Sequence, residues 1–473
     1  MAISPDLCFV GILVLQNLVT ITLLTRTPRS SFLRWICLPS MLYLTYLEVV
    51  LNRLGETGFV IKIRTGGHAF TFLVQLVNLL FVTNVDLTTK ADKSKVAFQL
   101  LLGIRGIGTP WQIKHIPPFP RVMRTHPPGR TQYVVRQLAI VIWQTLFFRL
   151  LTSPVLAHDP SIYGYGQEFV YTPRNCLNRF SATYIEGVIP AYLFLDIVYR
   201  LGAIICVGSG DHSISQWPPL FGTLARSYSI RLYWGRFWHQ YLRWPFTSIS
   251  NCITVRILRL PKPSLLEYYV NAFIVFALSG YMHIIANVVA GVEGADRSVW
   301  LFFLAQVPAL MFEDGVQYLW GALQRYRQRR RRRRGCGHGY GLKVQREGRV
   351  VQEQQTLQGQ QRGEKGDVVG AVAAAASPGA DVDADAVADV DAGAGAGLPP
   401  LWQRCVGYAW LTAWLAFSFP WWYYPIMRTL KMKTGQSAAT LSSGGAVGLE
   451  VPVLAGLVAA GAVVLHVVFK AEP

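Results

Sequence analysis

The sequence predicts an all-α, multi-pass integral membrane protein of about nine transmembrane helices, and three observations carry that reading. Composition is the first: 52% of the 473 residues are hydrophobic and only 15% are charged, whereas soluble domains carry about 25% charged residues. The mean hydropathy is correspondingly positive, at +0.30. The second is a series of apolar runs long enough to cross a hydrocarbon core of ~30 Å, which takes ~20 helical residues. The third is the placement of the basic residues, which gather in alternate loops as the positive-inside rule requires of cytoplasmic connections.

The runs lie near 6–25, 35–51, 68–87, 134–157, 184–207, 265–291, 299–322, 401–427 and 449–470. The first has no basic n-region and no clear small-residue cleavage site, so it reads as a retained span. The second contains Glu48 and the third Asn78, Asn84 and Asp86, polar groups that border protein rather than lipid. If the loop around Arg26, Arg29 and Arg34 is cytoplasmic, so are Lys90–Arg130, Arg226–Lys262 and the Arg325–Arg334 block, the most basic connections in the chain. The N-terminus is then lumenal and the C-terminus cytoplasmic, in a membrane expected to be the endoplasmic reticulum. A net charge of +19 would suggest nucleic acid in a soluble protein, but here the largest basic block directly follows an apolar run and faces anionic lipid.

Three regions follow. Residues 1–322 hold the N-terminal and catalytic spans, 323–400 a basic run and a low-complexity cytoplasmic linker, and 401–473 the C-terminal spans. The linker ends in "DVDADAVADVDAGAGAG", spaced aspartates without a fixed turn to hold a metal, and reads as a solvated tether. The seven cysteines are scattered with no CxxC pair, which gives neither a disulfide framework nor a zinc site. No metal ligand set is expected.

Two places carry chemistry. His283 lies well inside the run "NAFIVFALSGYMHIIANVVAG", where an ionisable group is costly and usually faces a protein-lined cavity. Ser279 and Asn287 stand at i−4 and i+4 and share its helix face. A neutral imidazole there suits general-base catalysis, or it simply bridges two helices; the residues alone admit either reading. The second place is "SIRLYWGRFWHQYLRWP", Ser229 to Pro245, which concentrates Trp234, Trp238, His239 and the cations Arg231, Arg236 and Arg243 in a cytoplasmic connection. It reads as an interfacial aromatic belt with snorkelling arginines, or as a vestibule where guanidinium groups meet phosphates.

"LYWGRFWHQYLR" closely resembles the "FWGRRWHQ" signature of the wax-synthase-like branch of the membrane-bound O-acyltransferases, and "FALSGYMH" resembles the segment bearing that family's active-site histidine. "RGIGTPWQIKHIPPFP" (105–120) and "MFEDGVQ" (311–317) are similar to further stretches of its fungal members, which places four motifs in order, at 105–120, 229–245, 276–291 and 311–317. The resemblance implies a helical membrane fold with a buried reaction tunnel, in which an acyl-CoA from the cytosol meets an alcohol. His283 would be the catalytic residue, and Trp234, Arg236, Trp238, His239 and Gln240 would belong to the second signature. Fungal members commonly acetylate terpenoid or meroterpenoid metabolites, and plant relatives make wax esters.

The expectation is therefore an O-acetyltransferase that uses acetyl-CoA as co-substrate, with no tightly bound cofactor and a hydrophobic alcohol as acceptor. Acyl transfer needs a donor for the developing oxyanion, for which Ser279, Asn287, Asn271 and Trp238 are candidates. Arg231, Arg236 and Arg243 are expected to hold the CoA phosphates. A wax ester synthase is the near alternative. A transporter is the distant one and would use Glu48, Glu186, Asp196, Glu313 and Asp314 as ion sites.

Overall fold

A computed structural model describes residues 4–153, 156–357, 398–438 and 455–463, and no strand forms among them. Ser4 opens α1 (Pro5–Arg26), its hydroxyl accepting the Leu7 N–H at 3.3 Å, and Pro5 suits the first helical position. There follow α2 (Leu33–Leu54), α3 (Phe59–Val77), α4 (Lys93–Leu102), α5 (Arg130–Leu151), α6 (Pro173–Ser181), α7 (Ile189–Ser209), α8 (Arg243–Asn251), α9 (Leu265–Ala290), α10 (Ala295–Leu357) and α11 (Leu401–Ala438). A π-helical turn, Asn78–Val82, extends α3, and another, Ala182–Val188, joins α6 to α7.

Seven helices among the described residues are long and apolar enough to span a membrane: α1, α2, α3 with its extension, α5, the α6–α7 run, α9 and Asp296–Arg330 of α10. The long helix α11 is not among them, because the tryptophans and tyrosines that crowd it lower its hydropathy. Most of the ninth run, 449–470, lies outside the described residues; its helical part, 455–463, meets α5 where the Trp143 Nε1–H donates to the Val458 carbonyl at 2.8 Å. The third span begins at Phe59 rather than near 68, taking in Lys62, Arg64 and His68. Helix α10 runs through the arginine block to Leu357, so the expected linker begins inside a helix. Residues 358–397, with the aspartate run, lie outside the described residues.

The basic loops meet at one end of the bundle. Arg34, 1% exposed, donates to the Val85 carbonyl at 2.9 Å and to Asn84 Oδ1 at 2.7 Å, tying the first basic loop to the end of α3. Arg105 donates to the Pro218 and Pro219 carbonyls, both at 2.8 Å, and the Tyr408 hydroxyl donates to the Leu224 carbonyl at 2.8 Å. At the other end Asp6 accepts the Glu56 N–H, Lys431 donates to the His158 carbonyl, and Lys433 donates to the Ala290 carbonyl.

Helix α9 lies between α3 and α10, with α11 packed on α10. Gly66 permits the first approach, since a Cβ there would stand 3.0 Å from Val289; Gly280 permits the second, where Trp300 and Phe303 lie 3.3 Å from the same imagined atom. On the far side α5 packs on α7. The space between α3 and α7 is crossed by Arg64, whose guanidinium lies over the Phe194 ring.

Candidate active site

His283 sits on the buried length of α9 with its ring stacked on Phe303 (centroids 4.8 Å apart, planes 17°) and 4.5 Å from the Trp422 ring. Among the described residues no hydrogen bond to its ring is made. The ring is surrounded by protein yet keeps accessible surface, and so is that of His239, which lies near enough to His283 for their charges to interact. Tyr192 on α7 and Tyr241 are likewise partly buried, whereas His68 on α3 is exposed.

The 229–245 stretch is held in place from its first residue. Ser229 Oγ accepts the Leu232 N–H at 3.1 Å, and Glu313 of the 311–317 motif accepts the Ile230 N–H at 2.7 Å and the Arg231 N–H at 3.4 Å. A carboxylate on these first amides matches the positive end of a helical turn. Asp314 pairs with the Arg231 guanidinium and accepts the Tyr269 hydroxyl at 2.8 Å, while Arg231 also lies 4.6 Å over the Tyr268 ring. The chain then turns through a π-helical Tyr233–Phe237 and a 3-10 turn, Gln240–Leu242, before α8. Trp111 of the 105–120 motif stacks on Trp244 at 6.5 Å. The four motifs picked out in the sequence thus assemble around one site.

The individual residues divide by what they touch. Trp234 donates through Nε1 to Gln306 Oε1 at 3.1 Å, an oxygen that also accepts from Trp414 at 3.0 Å, and Gln306 is fully buried. Trp238 lies beside Tyr233 and Phe221 in an aromatic cluster. Gln240, 2% exposed, donates to the Trp238 carbonyl and accepts from Arg243, which also donates to the Gly235 carbonyl. Arg231 and Arg243 are therefore held inside the fold by acceptors of this chain rather than presented as a row of solvent-facing cations, as buried guanidinium groups require. Arg236 lies partly buried in the π turn.

Of the expected oxyanion donors, Ser279 is partly buried one turn before His283, and Asn287 is 3% exposed with its amide nitrogen unpartnered. Asn271 is committed elsewhere, donating to Asn251 Oδ1 at 2.7 Å. His239 Nδ1 is likewise sealed without a partner, and burial pushes that imidazole down to about 4, leaving it neutral near pH 7.

Sequence reasoning missed Trp422. Its Nε1–H is buried without a hydrogen-bond partner and its ring meets both His283 and Phe302. The only sequence signal is the aromatic density of "AWLAFSFPWWYYP", and the linker hides its proximity to α9. Arg64 was also passed over because the third run was placed from 68 onward, C-terminal to it.

The transporter acids are mostly taken up by the fold: besides Glu313 and Asp314, Asp196 binds Arg200 Nε at 2.6 Å and Gln144 at 2.7 Å, and Glu186 binds His158 and Tyr163. Glu48 remains, fully buried with both oxygens unpartnered. Among the described residues no group of three or more His, Cys, Asp or Glu could hold a metal ion.

Comparison with known proteins matches this region. The model of the "Membrane bound O-acyl transferase family" fits residues 217–305, which include the 229–245 stretch, His283 and Phe303. Acetyltransferase atnC from Arthrinium sp is 31% identical over 336 residues, covering 65% of this chain and 77% of atnC. Two proteins of Aspergillus fumigatus are similar as well: Acetyltransferase pyr8 at 28% identity (91% of this chain, 90% of pyr8) and Acetyltransferase spyB at 34%. The spyB match covers 65% of this chain but 55% of spyB, so the chain spans little more than half of that relative. No solved structure matches. The chain belongs to the membrane bound O-acyl transferase family and is an acyl-transferring membrane enzyme.

Proposed function

We infer that this enzyme is an O-acetyltransferase that moves acetyl from acetyl-CoA to a hydroxyl of a hydrophobic acceptor, a terpenoid or meroterpenoid secondary metabolite, with His283 as general base. The observation that carries the reading is the imidazole itself: partly buried on α9, flanked by Phe303 and Trp422, and without a hydrogen bond among the described residues. Such a ring is available to an alcohol proton. Similarity to proteins named acetyltransferases supports acetyl as the acyl group.

In this reading His283 withdraws the acceptor's proton as the oxygen attacks the thioester carbonyl. The tetrahedral oxyanion forms beside the unpartnered N–H groups of Trp422 and Asn287, with Ser279 on the same helix face. Donors already in place, with no water to reorganise, stabilise that charge most effectively. The C–S bond then breaks and CoA thiolate leaves with the proton from His283. Arg236, at the basic end, binds CoA phosphate; Arg231 and Arg243 shape the stretch that carries it. The basic end faces the cytosol, the N-terminus the lumen of the endoplasmic reticulum.

The test is donor and acceptor choice. Purified protein is given labelled acetyl-CoA or palmitoyl-CoA with a panel of terpenoid and straight-chain alcohols. Acetyl esters of terpenoid alcohols are expected; palmitoyl esters of straight-chain alcohols would make it a wax synthase.

A further inference from the structure

At the end of the bundle opposite the basic loops lies a second set of reactive side chains that the acetyl-transfer reading does not use. His158, in the loop after α5, has Nδ1 2.5 Å from Glu186 Oε1 and Nε2 2.6 Å from Ser181 Oγ. Glu186 is oriented in turn: its Oε1 accepts the His158 backbone N–H at 2.7 Å and its Oε2 accepts the Tyr163 hydroxyl at 2.7 Å. A carboxylate fixed by other donors, an imidazole bonded to it through one nitrogen, and a hydroxyl on the other nitrogen form the serine–histidine–acid constellation, which is recognised by geometry rather than by order in the chain.

The hydroxyl is reachable. Ser181 is partly exposed where α6 runs into the π-helical turn, just after the exposed Leu177 and Phe180, and the His158 side chain is 17% exposed. Ile162, Gln167, Asn175, Asn178, Arg179 and Tyr424, from the same loop and helix and from α11, line a small crevice of about 10 Å³, room for one water molecule. Asn178 stands one turn before Ser181, its side-chain amide making no hydrogen bond among the described residues. The hydroxyl also lies 3.0 and 3.1 Å from the Leu177 and Asn178 carbonyls, longer contacts than the one to His158. Rotation of the O–H toward Nε2 arms it.

We propose that Ser181, His158 and Glu186 form a second, hydrolytic site that cleaves small carboxylic esters at the end of the bundle opposite the basic loops. Ser181 Oγ attacks the ester carbonyl while its proton passes to His158 Nε2. The bond from the carbonyl carbon to the alkoxy oxygen breaks, and the alkoxide leaves as the alcohol with that proton. Water then attacks the acyl-serine, its proton moving to Nε2; the acid departs and Ser181 recovers the proton. Glu186 holds the imidazole in the tautomer this needs and stabilises the imidazolium.

Fluorophosphonate labelling of the purified full chain, with p-nitrophenyl acetate hydrolysis beside it, tests the proposal. The wild type is expected to take up one fluorophosphonate on the peptide holding Ser181. Ser181→Ala, which removes a single hydroxyl, and Glu186→Gln should each lower labelling and hydrolysis at least tenfold. His283→Ala should leave both unchanged, which separates this site from the acetyl-transfer centre. An unlabelled wild type, or equal labelling and hydrolysis in Ser181→Ala, overturns it and leaves His158 as a brace between its loop and α6.

Discussion

His283 and His158 occupy opposite kinds of surroundings in one bundle. His158 is bonded through both ring nitrogens to a carboxylate and a hydroxyl, with a lysine on its carbonyl. His283 lies against the rings of Phe303 and Trp422 and makes no hydrogen bond among the described residues. On the proposed readings, the difference separates a base whose partner is built into the chain from one whose partner arrives as substrate. Charged and polar partners surround His158, while Trp422 Nε1 and Asn287 Nδ2 near His283, and Nδ1 of His239, are buried without a protein partner.

The sharpest way to break this contrast is Trp422→Phe, which keeps an aromatic ring against His283 and removes the N–H. If that N–H meets the oxyanion, kcat should fall ~10²–10³-fold with the acetyl-CoA KM nearly unchanged; an unchanged kcat reduces Trp422 to packing. A smaller effect is expected at the basic end. Arg236→Ala should raise the acetyl-CoA KM about tenfold, as loss of one charge-assisted hydrogen bond of ~1.5 kcal/mol does, and should weaken the salt dependence of binding, with kcat held. A fall in kcat at constant KM would move Arg236 into the reaction centre.

Acid stability gives a third and smaller signal. His239 resists protonation down to about 4 in the folded chain, whereas an unfolded histidine takes its proton near ~6.5. Its contribution is complete above ~6.5 and is lost as pH falls toward 4. Melting temperature should therefore drop between pH 7 and 5, less steeply in His239→Gln; equal slopes would mean that the ring is not sealed. The least effect belongs to deletion of residues 340–395, which should leave acetyl transfer and expression nearly as they were, whereas loss of both would show that the segment docks on the enzyme.

Much of this was legible in the sequence, for identifiable reasons. Long apolar runs announce spans because a bilayer imposes their length, and seven of the described helices meet that measure. His283, Ser279 and Asn287 could be grouped because one helix face repeats every 3.6 residues. The meeting of Glu313 with the amides of Ile230 and Arg231 was not legible, since 83 and 82 residues separate the partners and no local period connects them. Trp422 was hidden for the same reason, with the linker in between. The arginines of the 229–245 stretch were read as ligands for the CoA phosphates because charge is visible in a sequence and its counter-charge across the fold is not: Asp314 holds Arg231 from another helix. Likewise, Ser181, His158 and Glu186 are unremarkable as letters and become a constellation only when the π-helical turn after α6 brings Glu186 against the loop.

The most direct test of the central claim is single-turnover acetyl transfer by purified His283→Ala, measured beside wild type with saturating acetyl-CoA and an accepted alcohol. Removing the general base should slow ester formation ~10²–10⁴-fold while acetyl-CoA binding and the melting profile remain those of the wild type. A folded variant that still forms ester within tenfold of the wild-type rate would contradict the account and require the base to be sought elsewhere in the interior, at His239 first.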